Sequence, residues 1–220
     1  MNHTNNITKY NNIFIIFVIA IVAAACSDSS TGIESEEEID LETNMVEDLP
    51  ADPNGSRGDP PDFTYFDLEK GEIVPDSDSD GTTWDLAFAG TTILTNSGIS
   101  GPGEAGAIIL DIPFEGVDQA PEQDYNTDKE QELAIPGGSG NGWYTYTADR
   151  REPFNAILPL PDKTIVVRTA DGNYAKINML SYYEGNPDTD TDEFAEFATR
   201  PDGRHYTFEY MLRADGEREF

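Results

Sequence analysis

The stretch from Lys163 to Tyr183, KTIVVRTADGNYAKINMLSYY, constrains the fold more than any other part of this chain. Thr164 to Thr169 is a β-branched run of the kind a half-buried pleated surface takes. Ala170-Asp171-Gly172 supplies a short turn, in which Gly172 can take the positive φ of a tight reversal. The return segment alternates. Ala175, Ile177, Met179, Ser181 and Tyr183 share one face, and Tyr174, Lys176, Asn178, Leu180 and Tyr182 share the other. Neither face is wholly polar, so the pattern predicts a central β-hairpin inside a sheet covered on both sides.

Further short strands read out at Phe63–Leu68, Ala107–Ile112, Trp143–Thr147, Phe154–Leu158 and Tyr206–Leu212, with turn residues between them. Another spans Trp84 to Phe88, with Trp84, Leu86 and Phe88 expected to point one way. No sustained helical periodicity interrupts the series, and no long repeat is visible. The expectation is an all-β fold, a single antiparallel domain over residues 62–220. Two long polar stretches, 113–142 and 184–204, break the strands, and loops of that length in a compact domain are often functional. A pocket is expected between the two irregular excursions, after Ile112 and after Tyr146.

The N-terminal region predicts where the domain is held. Ile13 to Val22 is apolar, follows a short polar start carrying Lys9, and is shorter than the roughly 20 residues of a membrane-spanning helix. It runs into Ala23-Ala24-Ala25-Cys26, small residues before a cysteine, and so resembles the lipobox of bacterial lipoproteins. That resemblance implies a signal peptide over 1–25 and a diacylated Cys26 as the lipid anchor. Cys26 is the only cysteine, which excludes an intramolecular disulfide. Residues 26–61 read as a disordered acidic tether: Glu34 to Glu42 is densely acidic, and prolines and glycines follow from Pro50 to Pro61. The segment 39–49 has too little apolar surface to stand alone as a helix.

With 43 acidic against 13 basic residues the formal charge is −30, and no basic patch exists to meet a nucleic acid. Enzyme chemistry is equally poorly served. The only histidines are His3, inside the expected signal peptide, and His205, so a Ser-His-Asp site would have to rely on His205 alone, and there is no histidine cluster for zinc. Gly101-Pro102-Gly103-Glu104-Ala105-Gly106 fits a dinucleotide fingerprint by letter. However, it leads into a strand instead of the required helix N-terminus, so its glycines are expected to permit a tight loop. Asp76-x-Asp78-x-Asp80-Gly81 matches the first half of a calcium loop, but the twelfth position is Ala87. Asp76, Asp78 and Asp80 are the calcium candidate, with a solvated acidic turn as the alternative.

Several pieces in fixed order then point to a family. They are Trp84-Asp85-Leu86-Ala87-Phe88, Thr95-Asn96-Ser97-Gly98 with its following glycines, Trp143-Tyr144-Thr145-Tyr146, the hairpin Val167 to Lys176, Ser181-Tyr182-Tyr183 and Tyr206-Thr207-Phe208-Glu209-Tyr210. As an ordered set they resemble the HmuY family of bacterial surface lipoproteins. The resemblance implies an all-β haemophore-like domain, displayed lipid-anchored on the outer membrane. It would capture haem and pass it to a TonB-dependent outer-membrane receptor. Family members hold the iron with two histidines or two methionines, in regions after the glycine-rich loop and beyond the Trp-Tyr-x-Tyr strand. This chain departs from that pattern, because neither 107–142 nor 147–158 contains histidine, methionine or cysteine. Haem iron also accepts tyrosine, which makes Tyr125 and Tyr146 the remaining cofactor-binding candidates, each equally readable as a loop tyrosine. The rival reading is a surface interaction module of the same fold that binds a protein, a glycan or calcium without haem.

Overall fold

The computed structural model describes residues 41–56, 58–150 and 152–220, which fall within one compact unit, Ile39–Phe220. The expected signal peptide, Cys26 and the first part of the tether lie outside the described residues. A five-stranded antiparallel sheet runs in the order β1 (Thr43–Pro50), β11 (Gly203–Arg213), β10 (Tyr174–Tyr183), β9 (Thr164–Arg168) and β6 (Gly106–Leu110). A four-stranded sheet runs β3 (Glu72–Val74), β2 (Thr64–Asp67), β4 (Leu86–Ala89) and β5 (Thr92–Thr95). β7 (Tyr144–Tyr146) and β8 (Ile157–Pro159) form a separate two-stranded ribbon. Helix among the described residues is confined to α1 (Asp192–Ala195) and two 3₁₀ turns. None is long and apolar enough to cross a membrane.

The all-β expectation holds, and the hairpin sits where the sequence places it. Gly172 takes φ +87° in the turn, and β9 and β10 occupy inner positions of the larger sheet. Both faces are covered. On one, Ile165, Val167, Ala175, Ile177 and Phe208 meet Phe66, Leu86, Phe88 and Ile93 of the smaller sheet in a single core. Aromatic rings key the two layers together, with Phe66 5.8 Å from Phe208 and Phe88 5.1 Å from Tyr206. On the other face Val166 is covered by Val117 and Ala120. There Lys176, a residue only 5% exposed, donates through its ammonium to the carbonyls of Phe114 (3.1 Å) and Val117 (2.9 Å). Burial lowers the proton affinity of Lys176, and carbonyl dipoles and the Phe114 ring, 4.7 Å away, take the place of water around it.

Two expectations are corrected. The segment read as tether up to residue 61 contains β1, which pairs with β11 from Thr43↔Met211 to Pro50↔His205. Leu49 is buried in the shared core, and the register shift between Val46 and Leu49 is where Asp48 takes φ 51°. The acidic composition supplies little apolar surface, but β11 offers a long edge of unpaired backbone groups, and pairing with it orders the segment. Trp84 does not share a face with Leu86 and Phe88. It packs with Val74 and Ala87 and, edge-on at 5.0 Å, with Tyr65, because the regular strand begins only after Asp85.

Asp85 explains that irregular start. Its carboxylate is 5% exposed and accepts the N–H of Leu68 (2.8 Å) through one oxygen and the N–H of Ala170 (2.7 Å) through the other. One side chain therefore joins the smaller sheet to the turn of the central hairpin. The glycine-rich loop works similarly around buried Asn96, which donates to the carbonyls of Gly81 and Trp84 and accepts from Gly103 N–H. A Cβ at Gly101 would lie 2.1 Å from the Asn96 side chain, so the close approach needs glycine.

Two outcomes are expected. Leu49→Ala lowers unfolding free energy in urea by about 2–3 kcal/mol, while Met45→Ala on the same strand stays within about 0.5 kcal/mol; equal, negligible effects would return the segment to a tether. Desolvation raises the Asp85 carboxyl from 3.8 to about 6. The folded protein therefore holds that proton more tightly than the unfolded chain. The stabilisation is complete below about pH 4 and is lost as pH rises to about 6, on the order of 3 kcal/mol. Other carboxylates titrate in both proteins, so the informative quantity is the wild-type stability minus that of Asp85→Asn. That difference should fall across this window and be flat above it.

Candidate functional site

The ribbon carries one wall of a cleft. In β7 and β8, Thr145 is paired with Leu158 and Tyr144 with Pro159. Tyr144 turns into the core, and Thr145 and Leu158 line the cleft. The run Leu158-Pro159-Leu160-Pro161 keeps this wall open. Leu160 N–H reaches back to the Trp143 carbonyl (2.8 Å), whereas Ile157 N–H points outward to the Tyr183 hydroxyl (3.0 Å). By strand alternation the next outward positions are Pro159 and Pro161, which have no N–H to offer.

The floor comes from β10. Its pairing with β11 shifts register at Ser181 and again before Tyr183. The Ser181 hydroxyl holds the distortion, accepting from Tyr183 N–H (2.9 Å) and donating to the Tyr183 carbonyl (3.0 Å). Tyr182 and Tyr183 consequently both enter the core, against strict alternation, and half-buried Leu180 lines the cleft.

The third side is the excursion 184–202, which crosses as a strap. Gly185 N–H donates to Asp48 Oδ1 (2.7 Å) at its start. Thr191 caps α1 by accepting the Phe194 N–H at 3.2 Å, and Phe194 packs edge-on against Tyr183 at 4.8 Å. Arg200 then ties the strap to the loop after β7. Its guanidinium donates to the carbonyls of Phe194 (2.9 Å), Ala195 (3.3 Å), Phe154 (2.9 Å) and Asn155 (3.1 Å), and lies 4.8 Å over the Phe194 ring. Between ribbon, Leu180 and strap residues Pro187–Asp190 is a cleft of about 850 Å³. Two smaller hollows of about 270 and 160 Å³ share the same strap.

The stretch 113–142 does not wall this cleft. It folds down on the sheet through Phe114, Val117 and Ala120 and enters the core at Ala134 and Ile135. Buried Asp128 pins it, accepting the N–H groups of Thr95 (2.9 Å) and Ala134 (2.8 Å). The cleft is therefore not the pocket expected between the excursions after Ile112 and after Tyr146: the β7–β8 ribbon, Leu180 and the strap line it. Of the excursion after Tyr146, Glu152 and Pro153 line only the hollow of about 160 Å³.

The sequence-predicted candidates lie elsewhere. Tyr125 packs in the cluster on the opposite face of the larger sheet, 6.0 Å from Tyr174 and with Arg168 5.5 Å over its ring. Its hydroxyl is buried without a partner, and burial pushes its proton affinity well above that of a free tyrosine, the wrong direction for a tyrosinate ligand. Tyr146 is exposed on the ribbon and donates to Asn155 Oδ1 at 2.8 Å. It does not line the cleft. Met179 is in the core, and His205 sits on β11 with Nδ1 3.1 Å from the Gly203 carbonyl. Among the described residues, no histidine, methionine, cysteine or tyrosine lines the cleft, so these residues do not fit axial coordination of haem iron.

The calcium candidate gains no support. Asp76 and Asp78 belong to an exposed 3₁₀ turn, and no group of three or more His, Cys, Asp or Glu among the described residues is placed to hold a metal ion. Ala87, at the position where a bidentate acid would close the loop, is fully buried against Trp84. The cleft itself was missed. Its signals were the Leu-Pro-Leu-Pro run before the hairpin and the Asn186-Pro187 break after it.

Arg200→Ala should free the two excursions from each other. Hydrogen exchange at the amides of Asn155, Ala156, Phe194 and Ala195 is expected to speed up by about tenfold or more, with β9 and β10 unchanged. Mass-spectrometric exchange resolves the two regions, and uniform protection would remove Arg200 from this role.

The family model described as HmuY protein matches residues 59–197, more than half of the chain. Among solved structures, the apo HmuY analogue of Tannerella forsythia is 18% identical with a TM-score of 0.48, covering 80% of this chain and 96% of that one. Apo PinO from Porphyromonas gingivitis is 14% identical with a TM-score of 0.48, covering 78% and 98%. A candidate HmuY-like haem-binding protein of Bacteroides vulgatus is 16% identical with a TM-score of 0.46, covering 77% and 91%. No curated protein matches the chain. Resting on the family match over residues 59–197, the chain belongs to the HmuY family.

Proposed function

We propose that this HmuY-family chain is a capture protein of the bacterial surface and not an enzyme. Lipid at Cys26 anchors it to the outer membrane. It holds a porphyrin-class ligand, haem or a relative, in the cleft above the β7–β8 ribbon and passes it to a TonB-dependent outer-membrane receptor. The observation that carries this reading is the cleft itself. At about 850 Å³ it lies within the usual range for small-molecule sites, and one wall is apolar. When bound, haem would supply the iron, but this chain supplies no axial ligand from that wall. Its residues act by contact instead, with Leu158, Leu160 and Leu180 excluding water from a flat apolar face. The missing ligands also support a second reading, a surface module of the same fold that binds a protein or glycan.

Soret titration of the chain from Ser27 onward, with ferric haem and iron-free protoporphyrin side by side, tests the proposal. Both are expected to bind with affinities within about threefold, because little of the binding energy passes through the metal. Leu180→Ala should weaken both by about tenfold, equivalent to about 1.4 kcal/mol of lost contact. Absence of any Soret change removes porphyrin capture. A six-coordinate low-spin haem spectrum would show protein ligation and overturn the contact-only mode.

A further inference from the structure

The strap brings charge as well as a wall. Asp188 and Asp190 both line the cleft, opposite half-buried Leu158, Leu160 and Leu180. Asp188 Oδ1 accepts Asp190 N–H at 3.0 Å, and the Asp188 carbonyl accepts the Thr191 hydroxyl at 3.0 Å, so a tight local turn holds the two carboxylates at the lip. Among the described residues, no lysine, arginine or histidine lines the cleft. Two cationic side chains of the flanking segments are already engaged. Arg200 spends its donors on four carbonyls, and Lys163 is paired with Asp111. Two aspartates alone would be an ordinary solvated turn. Facing an apolar wall across one cleft, they make an amphipathic receptor whose polar side carries a single sign.

We propose that this cleft is selective for amphiphiles with a cationic group, the apolar body lying on the leucine wall and the positive edge against Asp188 and Asp190. This rests on the cleft being the ligand site and narrows the ligand class. An anionic ligand of the same shape meets two carboxylates and, among the described residues, no counter-charge. A dianionic porphyrin such as haem could occupy the cleft only with its carboxylates turned outward to water. Discrimination by charge sign costs the protein little, because like-charge juxtaposition penalises the wrong ligand directly.

Two synthetic porphyrins sharing one macrocycle test this on the chain from Ser27 onward: tetrakis(N-methylpyridyl)porphyrin, cationic, and tetrakis(sulfonatophenyl)porphyrin, anionic. The cationic compound is expected to bind at least about tenfold more tightly. The net charge of −30 attracts any cation, so the control removes equal charge elsewhere. Asp188→Asn with Asp190→Asn should bring the two affinities to within about threefold, whereas Asp76→Asn with Asp78→Asn, on the exposed turn after β3, should leave the gap in place. Equal or tighter binding of the anionic compound overturns the proposal, as does equal loss of the gap in both double variants. If neither porphyrin binds, the porphyrin reading fails, and octyltrimethylammonium against octanoate by calorimetry decides the charge rule alone. A preference for the ammonium that only the Asp188/Asp190 variant abolishes sustains it; no preference sinks it.

Discussion

A carboxylate with almost no access to water holds this domain's two sheets in register. Asp85 accepts one backbone N–H from the end of β2 and another from the turn of the central hairpin, residues far apart in sequence. Hydrophobic contact between the sheets is larger in total but non-directional, and it tolerates sliding. Two charge-assisted bonds to fixed amides do not. Desolvation opposes the charge and the two amides favour it, and desolvation is the larger effect. The anchor is therefore bought against a real electrostatic penalty, and the same residue prevents Trp84 from continuing the strand face of Leu86 and Phe88.

From that joint, the core runs toward the cleft through aromatic contacts. Phe88 meets Tyr206, Tyr206 lies 5.0 Å from Trp143 and 5.6 Å from Tyr182, Tyr182 meets Tyr183 edge-on, and Tyr183 meets Phe194. Each ring has its position fixed by a neighbour, and hydrogen bonds fix several outright: Tyr206 to the Gly90 carbonyl, Trp143 to the Thr91 carbonyl, and Tyr183 to the Ile157 amide. The ribbon and the strap thus rest on a rigid base, although both belong to stretches rich in loop residues. That base lets an apolar wall exposed to solvent keep its shape without a ligand.

The parts legible in the sequence are those whose cause is local. The β-branched run, the Asp171-Gly172 turn and the Tyr206-Phe208-Tyr210 alternation each specify their structure within a few residues, and all three stand as read. The parts misread depend on distant partners. Nothing inside Thr43–Pro50 reveals that β11 has an edge to offer, and nothing near Asp128 reveals that Thr95 and Ala134 will donate to it. The bulge at Ser181 is local but invisible to a period-two reading, and it moves Tyr182 to the face that strict alternation denies it. For the candidate site the sequence showed what was missing, namely iron ligands, more clearly than what was present. The leucines and the strap aspartates become a site only when two segments about 30 residues apart are laid against each other.

Pro159 of β8 and Pro161 just beyond it give that arrangement its direction. A ribbon edge with free backbone groups invites another strand, and a partner pairing along the Pro159–Pro161 side of the cleft would need the N–H groups of residues 159 and 161. Both are proline, so that edge can accept through its carbonyls but has no N–H to donate at those positions, and side-chain contact carries more of what it offers. The leucines supply the contact and the strap supplies the charge. A wall of this kind recognises shape and sign in place of main-chain hydrogen bonds, which favours a compact amphiphile over an extended peptide. It also separates two properties that an iron-ligating pocket would merge. In the proposed mode, affinity depends on the area of apolar face covered, while selectivity depends on which charge the ligand brings to Asp188 and Asp190.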